Sequence, residues 1–387
     1  MGILFLLTLL VTGCWDRKEI ENRGYVLGLA IDHVVSPEPK GPYDLDGTPQ
    51  TAGQRKYKLT LEMPKFNKSS GTKELSKGQN HLIWAGEGES MFGITRMIST
   101  KTYFSPFFED LQILIFSEAV AREGVDDILD FFLRDSEMRR LTKVFVTPDR
   151  AENILKSELQ VAEINSIFIG KLTTNTAKSP YFAGKAELAE IAQAIRLQRS
   201  FIVPIVVVED KEVRLLKGAI FNKEHKMVGE MGELEILGGK ILRKTLKGGV
   251  VVAPNPADPQ HIVAFEIYEI KIKVDSQVQD DQLLFTVNAV LIGNFGENMV
   301  PSQDAVDSVF SKAVEMAIAT EVTRSVRAAF NKQQQLKADV NELGDLVHRQ
   351  HPDYWKIVKD RWDEEFFPKA QLNVSVKIEI RRPVITH

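Results

Sequence analysis

The sequence predicts a multi-domain α+β protein in which mixed and antiparallel sheets carry flanking helices. Its 387 residues exceed the size at which a single hydrophobic core stops growing, about 250 to 300 residues, so we expect two or three domains. Helix and strand patterns interleave in the first half, whereas long strands of alternating apolar and polar residues dominate the second. A hydrophobic content of 43% and a charged content of 26% are typical of a folded globular chain.

The first half carries short elements whose bounds follow from apolar runs and turn-forming residues. A loop rich in Pro, Gly and Asp occupies 37–53. Thr147 followed by Pro148 is typical of a helix start, and helical periodicity then continues to about Gln198. The other predicted elements are strands at 25–35, 56–64, 81–85, 111–116 and 143–147, a helix at 89–99 and two short helices within 118–134.

Long strands are predicted from the middle of the chain onward. Residues 203–208 and 213–222 form a predicted hairpin across Glu209-Asp210-Lys211. Further on, apolar residues occupy odd positions from Val263 to Ile267 and even positions from Ile270 to Val274. Because a strand changes faces only by inserting a residue, we predict a β-bulge at Tyr268-Glu269, with 283–292 as the neighbouring strand.

A long amphipathic helix is predicted near 303–332, because apolar residues recur every four positions from Val306 to Phe330. We interpret this stripe as a face packed on a core, in preference to a groove for a partner. In the final strand, the even positions from Leu372 to Ile380 are apolar and the odd positions between them are polar. We therefore expect one packed and one solvated face there.

The shift to long alternating strands near Leu215 predicts the main domain boundary. We expect a signal peptide at 1–13 and an N-terminal region at 14–212, which divides into subdomains at 14–145 and 146–212. A C-terminal domain then occupies 213–387.

Cys14 is the only cysteine of the chain, and residues 10–14, Leu-Val-Thr-Gly-Cys, resemble a bacterial lipobox. The apolar run from Ile3 to Val11 is shorter than the about 20 residues of a membrane-spanning helix and fits the core of a signal peptide. Cleavage before Cys14 would give a diacylglyceryl-modified, acylated N-terminus, and two or more acyl chains attach a protein stably. No Lys or Arg precedes the run, which we attribute to a start codon assigned too late. The alternative is a buried cysteine after an apolar strand.

Two patterns that could carry chemistry have simpler structural interpretations. Gly86-Glu87-Gly88 stands where a phosphate loop would, but its glutamate would repel a phosphate and no Lys-Ser or Lys-Thr follows, so we predict a turn. His348 and His351 have a spacing that can hold a metal on a helix. Because Pro352 ends that helix and no third ligand is close in sequence, we predict a solvated pair.

Two groups of acidic residues also have structural interpretations. Asp126, Asp127 and Asp130 predict the solvated face of a short helix, and Asp280-Asp281 predicts a hairpin turn. The formal net charge of −4 gives no basic footprint for nucleic acid. We therefore assign no catalytic, metal-binding or cofactor-binding residue, and Cys14 stays the one predicted site.

A series of short motifs runs in order along nearly the whole chain from Gly13 onward. They are Gly13-Cys14-Trp15-Asp16-Arg17-Lys18-Glu19, Ala30-Ile31-Asp32, Phe131-Phe132-Leu133-Arg134-Asp135, Lys217-Gly218-Ala219-Ile220-Phe221, Val228-Gly229-Glu230, Ala338-Asp339, Leu343-Gly344, Pro352-Asp353-Tyr354-Trp355 and Trp362. This ordered set resembles the GerAC, or Ger(x)C, lipoproteins, which are the C subunits of spore nutrient germinant receptors.

The resemblance implies a non-enzymatic, cofactor-free subunit with a multi-domain α+β fold, tethered by Cys14 to the outer face of the spore inner membrane. Family members act with two membrane-embedded partners, the A and B subunits, and the nutrient site is credited to the B subunit. We therefore expect a coupling element that docks through an exposed apolar patch of several hundred Å².

Two other functions make distinct structural predictions. A surface solute-binding lipoprotein, delivering a small molecule to a transporter, requires two similar α/β lobes around a deep cleft. A lipid-anchored hydrolase of the spore wall requires convergent carboxylates or a metal site.

Overall fold

The computed structural model describes residues 23–34, 56–65, 81–102, 104–134, 138–160, 162–174, 179–280, 282–298 and 308–382. Cys14, the expected signal peptide at 1–13 and the expected loop at 37–53 lie outside these residues. The described residues form three sheets, of two, eight and four strands.

The eight-stranded sheet organises the N-terminal half. Its order is β10-β9-β8-β7-β6-β2-β3-β4, with four parallel strands at the centre and an antiparallel pair added at each end. A two-stranded sheet pairs β1 with β5 in parallel. The strands are β1 Arg23–Tyr25, β2 Gly28–Val34, β3 Lys56–Pro64, β4 His81–Gly88, β5 Ser105–Phe107, β6 Ile113–Ser117, β7 Lys143–Thr147, β8 Phe201–Glu209, β9 Glu212–Phe221 and β10 Met227–Met231.

Helices cover both faces of this sheet, which explains why its central strands are continuous apolar runs. One face packs on α1, α2, α3 and α6 through residues such as Ile94 and Phe132. The other face packs on α4 and α5 through Leu155 and Ile169. The helices are α1 Met91–Lys101, α2 Glu118–Glu123, α3 Asp126–Arg134, α4 Ala151–Lys156, α5 Asn165–Leu172 and α6 Leu188–Arg196.

Two buried carboxylates in the sheet cap the helices that follow it. Asp32 at the end of β2 accepts hydrogen bonds from the backbone N–H groups of Ala151 and Glu152, at 2.6 and 2.9 Å. Glu62 in β3 accepts hydrogen bonds from the first two N–H groups of α5 in the same way. Since the first N–H groups of a helix have no partner within it, these carboxylates determine where α4 and α5 begin.

Two sequence predictions fail for this part of the fold. Thr147-Pro148 is not a helix start: Thr147 ends β7 and α4 begins at Ala151, because its cap is the distant Asp32. Gly86-Glu87-Gly88 is not a turn but the end of β4, paired with β3. A Cβ at Gly86 would lie 2.6 Å from the end of the Met97 side chain and 3.0 Å from Ile94, so glycine lets helix α1 pack closely on the strand.

The C-terminal half packs one long helix on a four-stranded sheet of order β11-β12-β13-β14. Phe265 and Phe285 of the sheet and Phe330 of α8 are fully buried between them. A Cβ at Gly238 would lie 1.9 Å from the Ser325 carbonyl oxygen, so α7 and α8 cross in backbone contact. The elements are α7 Glu233–Leu242, β11 Gly249–Pro254, β12 Ile262–Gln279, β13 Gln282–Asn298, α8 Ser308–Leu336, α9 Leu343–Gln350, α10 Pro352–Val358, short helical turns over 359–369 and β14 Gln371–Arg382.

Three local predictions, for a bulge, a hairpin turn and the long helix, are confirmed. The pairing of β12 with β13 skips Tyr268, which is the predicted bulge. The β8–β9 hairpin turns at Asp210 and Lys211, whose φ angles of 50° and 64° are the left-handed values of a tight hairpin turn. The α8 helix covers 308–336, where the four-residue repeat predicted a helix near 303–332.

The expected domain boundary at 212–213 falls within a hairpin of the eight-stranded sheet. That sheet continues through β9 and β10 to Met231, and α7 is the first helix whose buried residues pack in the C-terminal core, beside Ile220 and Met231 of the sheet. On this geometry we propose that the N-terminal folding unit extends to Met231.

Candidate functional site

A cleft with a volume of about 700 Å³ lies between the two halves of the described structure. The N-terminal half contributes the start of α3, the segment after α6 and the β9–β10 turn. The C-terminal half contributes α9, α10 and the turns that follow. We call this site the interdomain cleft, and its lining includes Asp126, Arg199, Lys223, His225, Asp345, Trp355, Trp362 and Asp363.

Asp339 organises the C-terminal wall of the cleft. Its carboxylate accepts hydrogen bonds from the Leu343 and Gly344 backbone N–H groups, at 3.0 and 2.6 Å, and from Trp362 Nε1 at 3.1 Å. The first two bonds cap α9. A Cβ at Gly344 would lie 2.8 Å from the Trp355 ring and 3.0 Å from Trp362 Nε1, so only glycine lets both rings close over the helix start. Four residues from separate family motifs therefore converge here.

Burial sets the electrostatics of this wall. Burial raises the pKa of the Asp339 carboxyl. The hydrogen bonds that Gly344 and Leu343 donate to it lower that pKa, but burial is the larger effect. Asp363 accepts a hydrogen bond from the Asp339 backbone N–H at 3.2 Å. Burial, together with the negative charge of Asp339, raises the pKa of Asp363 to about 6. The wall therefore holds two carboxyl groups whose pKa values are raised, and the pKa of Asp363 is about 6.

One ion pair joins the two halves across the cleft. Arg199 Nη1, in the segment after α6, lies 2.8 Å from Asp345 Oδ2 on α9. Burial raises the pKa of Asp345 and the charge of Arg199 lowers it. Both side chains are mostly shielded from solvent, so this pair is less screened than a surface ion pair.

A second site is an apolar groove of about 600 Å³ between α1 and α3. Phe92 projects from α1 with 61% of its surface exposed, and its ring packs edge-on against Phe131, with 6.5 Å between centroids. The half-buried Phe131 ring lies 5.1 Å, between centroids, from the buried Phe132 ring, which connects the exposed Phe92 ring to the core. We call this the Phe92 groove; Met91, Pro106, Phe108 and Ile128 also line it, with Asp127 and Asp130 at its rim.

The polypeptide enters the described fold beside the Phe92 groove. Strand β1 pairs with β5, and Pro106 of β5 lines the groove. The Arg23 guanidinium carbon lies 4.2 Å from the centre of the Phe107 ring, and Tyr25 packs edge-on against the same ring at 5.8 Å. The N-terminal segment is thus held firmly against one wall of the groove.

The residues considered from sequence have structural roles. His351 Nε2 lies 2.9 Å from the Ser276 carbonyl oxygen, and the His348 ring stacks on Trp355. His348 and His351 thus make separate contacts. Among the described residues, no group of three or more His, Cys, Asp or Glu side chains is arranged to hold a metal. Asp126 faces the cleft, Asp130 pairs with Arg134, and Asp280 lies in the β12–β13 turn.

Sequence reasoning missed two of the residues that the N-terminal half brings to the cleft. Arg199 and His225 lie in connecting segments and contact residues 146 and 99 positions away, so no local pattern marks them. Phe92 could be identified from the sequence as a candidate contact residue, since it is a large apolar residue on the polar side of a short amphipathic helix.

The fold matches a solved structure. The crystal structure of the GerBC protein aligns with a TM-score of 0.59 over 95% of this chain and 100% of that chain, at 19% identity. At this identity the match defines the class of fold, a multi-domain α+β protein with several sheets.

Two family models match successive parts of the chain. "Spore germination protein N-terminal domain" matches residues 16–208, and "Spore germination B3/GerAC like, C-terminal" matches residues 217–384. The chain belongs to the GerAC family of spore germination proteins, and this membership supports a role in germination.

Several proteins of Bacillus subtilis (strain 168) are similar over almost their whole length. Spore germination protein YndF is 28% identical, over 98% of this chain and 95% of that protein. Spore germination protein A3 is 25% identical over 98% and 96%, and spore germination protein B3 is 24% identical over 94% and 92%.

Proposed function

We propose that this chain is the lipid-anchored, non-enzymatic C subunit of a spore nutrient germinant receptor. Cys14 carries the lipid, on the outer face of the spore inner membrane, and the folded part docks on the membrane-embedded A and B subunits. Family membership supports the germination role and an association with the spore membrane. Among the described residues, no helix is both long and apolar enough to cross a bilayer.

The observation that carries the docking proposal is the position of the Phe92 groove. Eight residues lie between Cys14 and Arg23, so nine residue-to-residue steps join them, and a fully extended chain of nine steps spans at most about 30 Å. Since the chain enters beside Pro106, a lipid on Cys14 would hold the groove close to the membrane surface. Exposed aromatic rings fixed to a core are typical anchors of protein interfaces.

The groove suits an apolar segment of a membrane subunit that carries a basic flank. Its floor is aromatic and aliphatic, and Asp127 at its rim is exposed. The solute-binding alternative requires two similar α/β lobes. The two halves differ instead, with a parallel-centred sheet of eight strands in one and a four-stranded sheet under a long helix in the other.

The proposal is tested by expressing variants in spores that lack the native gene. Cys14→Ala should move the protein from the membrane fraction to the soluble fraction and abolish its diacylglyceryl mass. Phe92→Ser should leave the protein anchored and folded but slow nutrient-triggered germination at least tenfold.

Ile357→Ser is the matched control for the docking variant, because Ile357 is 68% exposed but lies on α10, outside the groove. It should germinate at the wild-type rate. Equal membrane retention of the Cys14→Ala protein would contradict the anchor. Wild-type germination of the Phe92→Ser spores would contradict docking through the groove.

A further inference from the structure

The interdomain cleft contains a buried histidine with an unused ring nitrogen. The His225 side chain is 9% exposed, and its Nδ1 lies 2.5 Å from Asp126 Oδ1. The ring lies partly over Phe201, with 6.3 Å between centroids. His225 Nε2 makes no hydrogen bond with any residue that the structure describes. A buried polar atom without a partner costs free energy, and because His225 lines the cleft, a ligand bound there can supply that partner.

The charge of the cleft defines the kind of partner. Seven carboxylates line it against three Lys or Arg side chains, so the lining is strongly acidic. Asp345 is paired with Arg199 and Glu342 with Arg243, whereas Asp363 accepts only a backbone hydrogen bond in the described structure. The carboxylates are Asp126, Glu224, Asp339, Glu342, Asp345, Asp360 and Asp363, and the cations are Arg199, Lys223 and Lys359. A cleft with an excess of one charge concentrates ligands of the other.

The shape and walls of the cleft favour a small molecule. Its volume of about 700 Å³ lies within the range of ligand sites, which occur preferentially between domains. Trp355 and Trp362 form an aromatic wall beside Asp363, and such rings pack on methylene groups and attract cations.

We propose that the interdomain cleft binds a small molecule that carries a protonated amine, with the ammonium group on Asp363 and a hydrogen-bonding group on His225 Nε2. Such a ligand would contact both halves and add to the Arg199–Asp345 pair that already joins them. This proposal goes beyond docking on the membrane, and its failure would leave the docking proposal intact.

The test is calorimetric titration of the full-length protein with 1,4-diaminobutane and, as its uncharged counterpart of similar length, butane-1,4-diol. We expect the diamine to bind saturably with a stoichiometry of one and the diol not to bind at the same concentrations. In protein labelled with ¹⁵N histidine, the diamine should shift the Nε2 resonance of His225.

Variants distinguish binding of the diamine in the cleft from its nonspecific attraction to an acidic protein. Asp363→Asn should weaken diamine binding about tenfold, because it removes the carboxylate but keeps the shape. Asp353→Asn is the control, because Asp353 is 92% exposed and lies outside the cleft, and it should bind as wild type does. His225→Phe should also weaken binding, and thermal unfolding checks that each variant is folded. Equal affinity of the wild type and Asp363→Asn, equal binding of the diol, or no saturable binding would overturn the proposal.

Discussion

The Asp32 carboxylate should stabilise α4 far more than a side-chain cap at the protein surface stabilises its helix. Asp32 is 2% exposed and accepts two backbone hydrogen bonds from residues 119 and 120 positions away. Asp32→Ala leaves both N–H groups buried without an acceptor, and each such loss costs about 1–3 kcal/mol. Burial raises the pKa of Asp32, which shows that desolvating its charge offsets part of the gain. We expect a net loss of about 3 kcal/mol at pH 7.

Ser90→Ala provides the comparison. Ser90 caps α1 through one exposed hydrogen bond, from the Gly93 N–H at 3.1 Å, and the loss of such a cap costs about 1 kcal/mol. The assay is denaturant unfolding of the full-length protein, followed by circular dichroism, with amide hydrogen exchange of α4 as the local readout. Asp32→Ala should increase exchange in α4. Asp32→Asn keeps one acceptor, so its exchange in α4 should fall between those of the wild type and Asp32→Ala. If Asp32→Ala cost no more than Ser90→Ala, or left exchange in α4 unchanged, the long-range cap would be refuted.

Two further predictions concern the wall of the interdomain cleft. The folded-state pKa of Asp363 is raised from 3.8 to about 6, so its contribution favours folding at low pH and is lost as the pH rises through about 6. One pKa unit corresponds to about 1.4 kcal/mol, and at pH 4 the carboxyl is already partly ionised in the unfolded chain. The stability of Asp363→Asn relative to wild type should therefore increase by about 2 kcal/mol between pH 4 and pH 7, measured by denaturant unfolding, and a pH-independent difference would contradict this. Gly344→Ala should cost about 1–3 kcal/mol, because the new Cβ would displace Trp355 and Trp362, and tryptophan fluorescence should change with it. Gly239→Ala, whose Cβ would meet its nearest atom at an ordinary 3.5 Å, should be neutral or slightly stabilising, and a similar loss at both sites would contradict the packing argument.

Sequence patterns predicted the parts of this fold that depend on neighbouring residues. The bounds 56–64 and 143–147 match β3 and β7, and the switch of apolar face located the bulge at Tyr268. These features follow from alternation within a strand, because each side chain must face either the core or solvent.

Features that depend on distant residues could not be predicted from local patterns. The start of α4 was misplaced because its cap, Asp32, lies in the first long strand of the sheet. The cleft also joins residues far apart in sequence, since Arg199 and Asp345 pair across 146 positions. The family motifs supplied Asp339, Gly344 and Trp362 as separate positions, and the three-dimensional fold shows that they form one hydrogen-bonded wall.

Site-specific photo-crosslinking from position 92 in intact spore membranes tests docking on the receptor most directly. A photoreactive phenylalanine analogue replaces Phe92 in one strain and Ile357 in a control strain, and mass spectrometry identifies the crosslinked peptides. We predict a crosslink from position 92 to an apolar segment of a membrane-embedded A or B subunit, and no such crosslink from position 357. A crosslink to those subunits from position 357 alone, or none from position 92 in germination-competent spores, would contradict docking through the Phe92 groove.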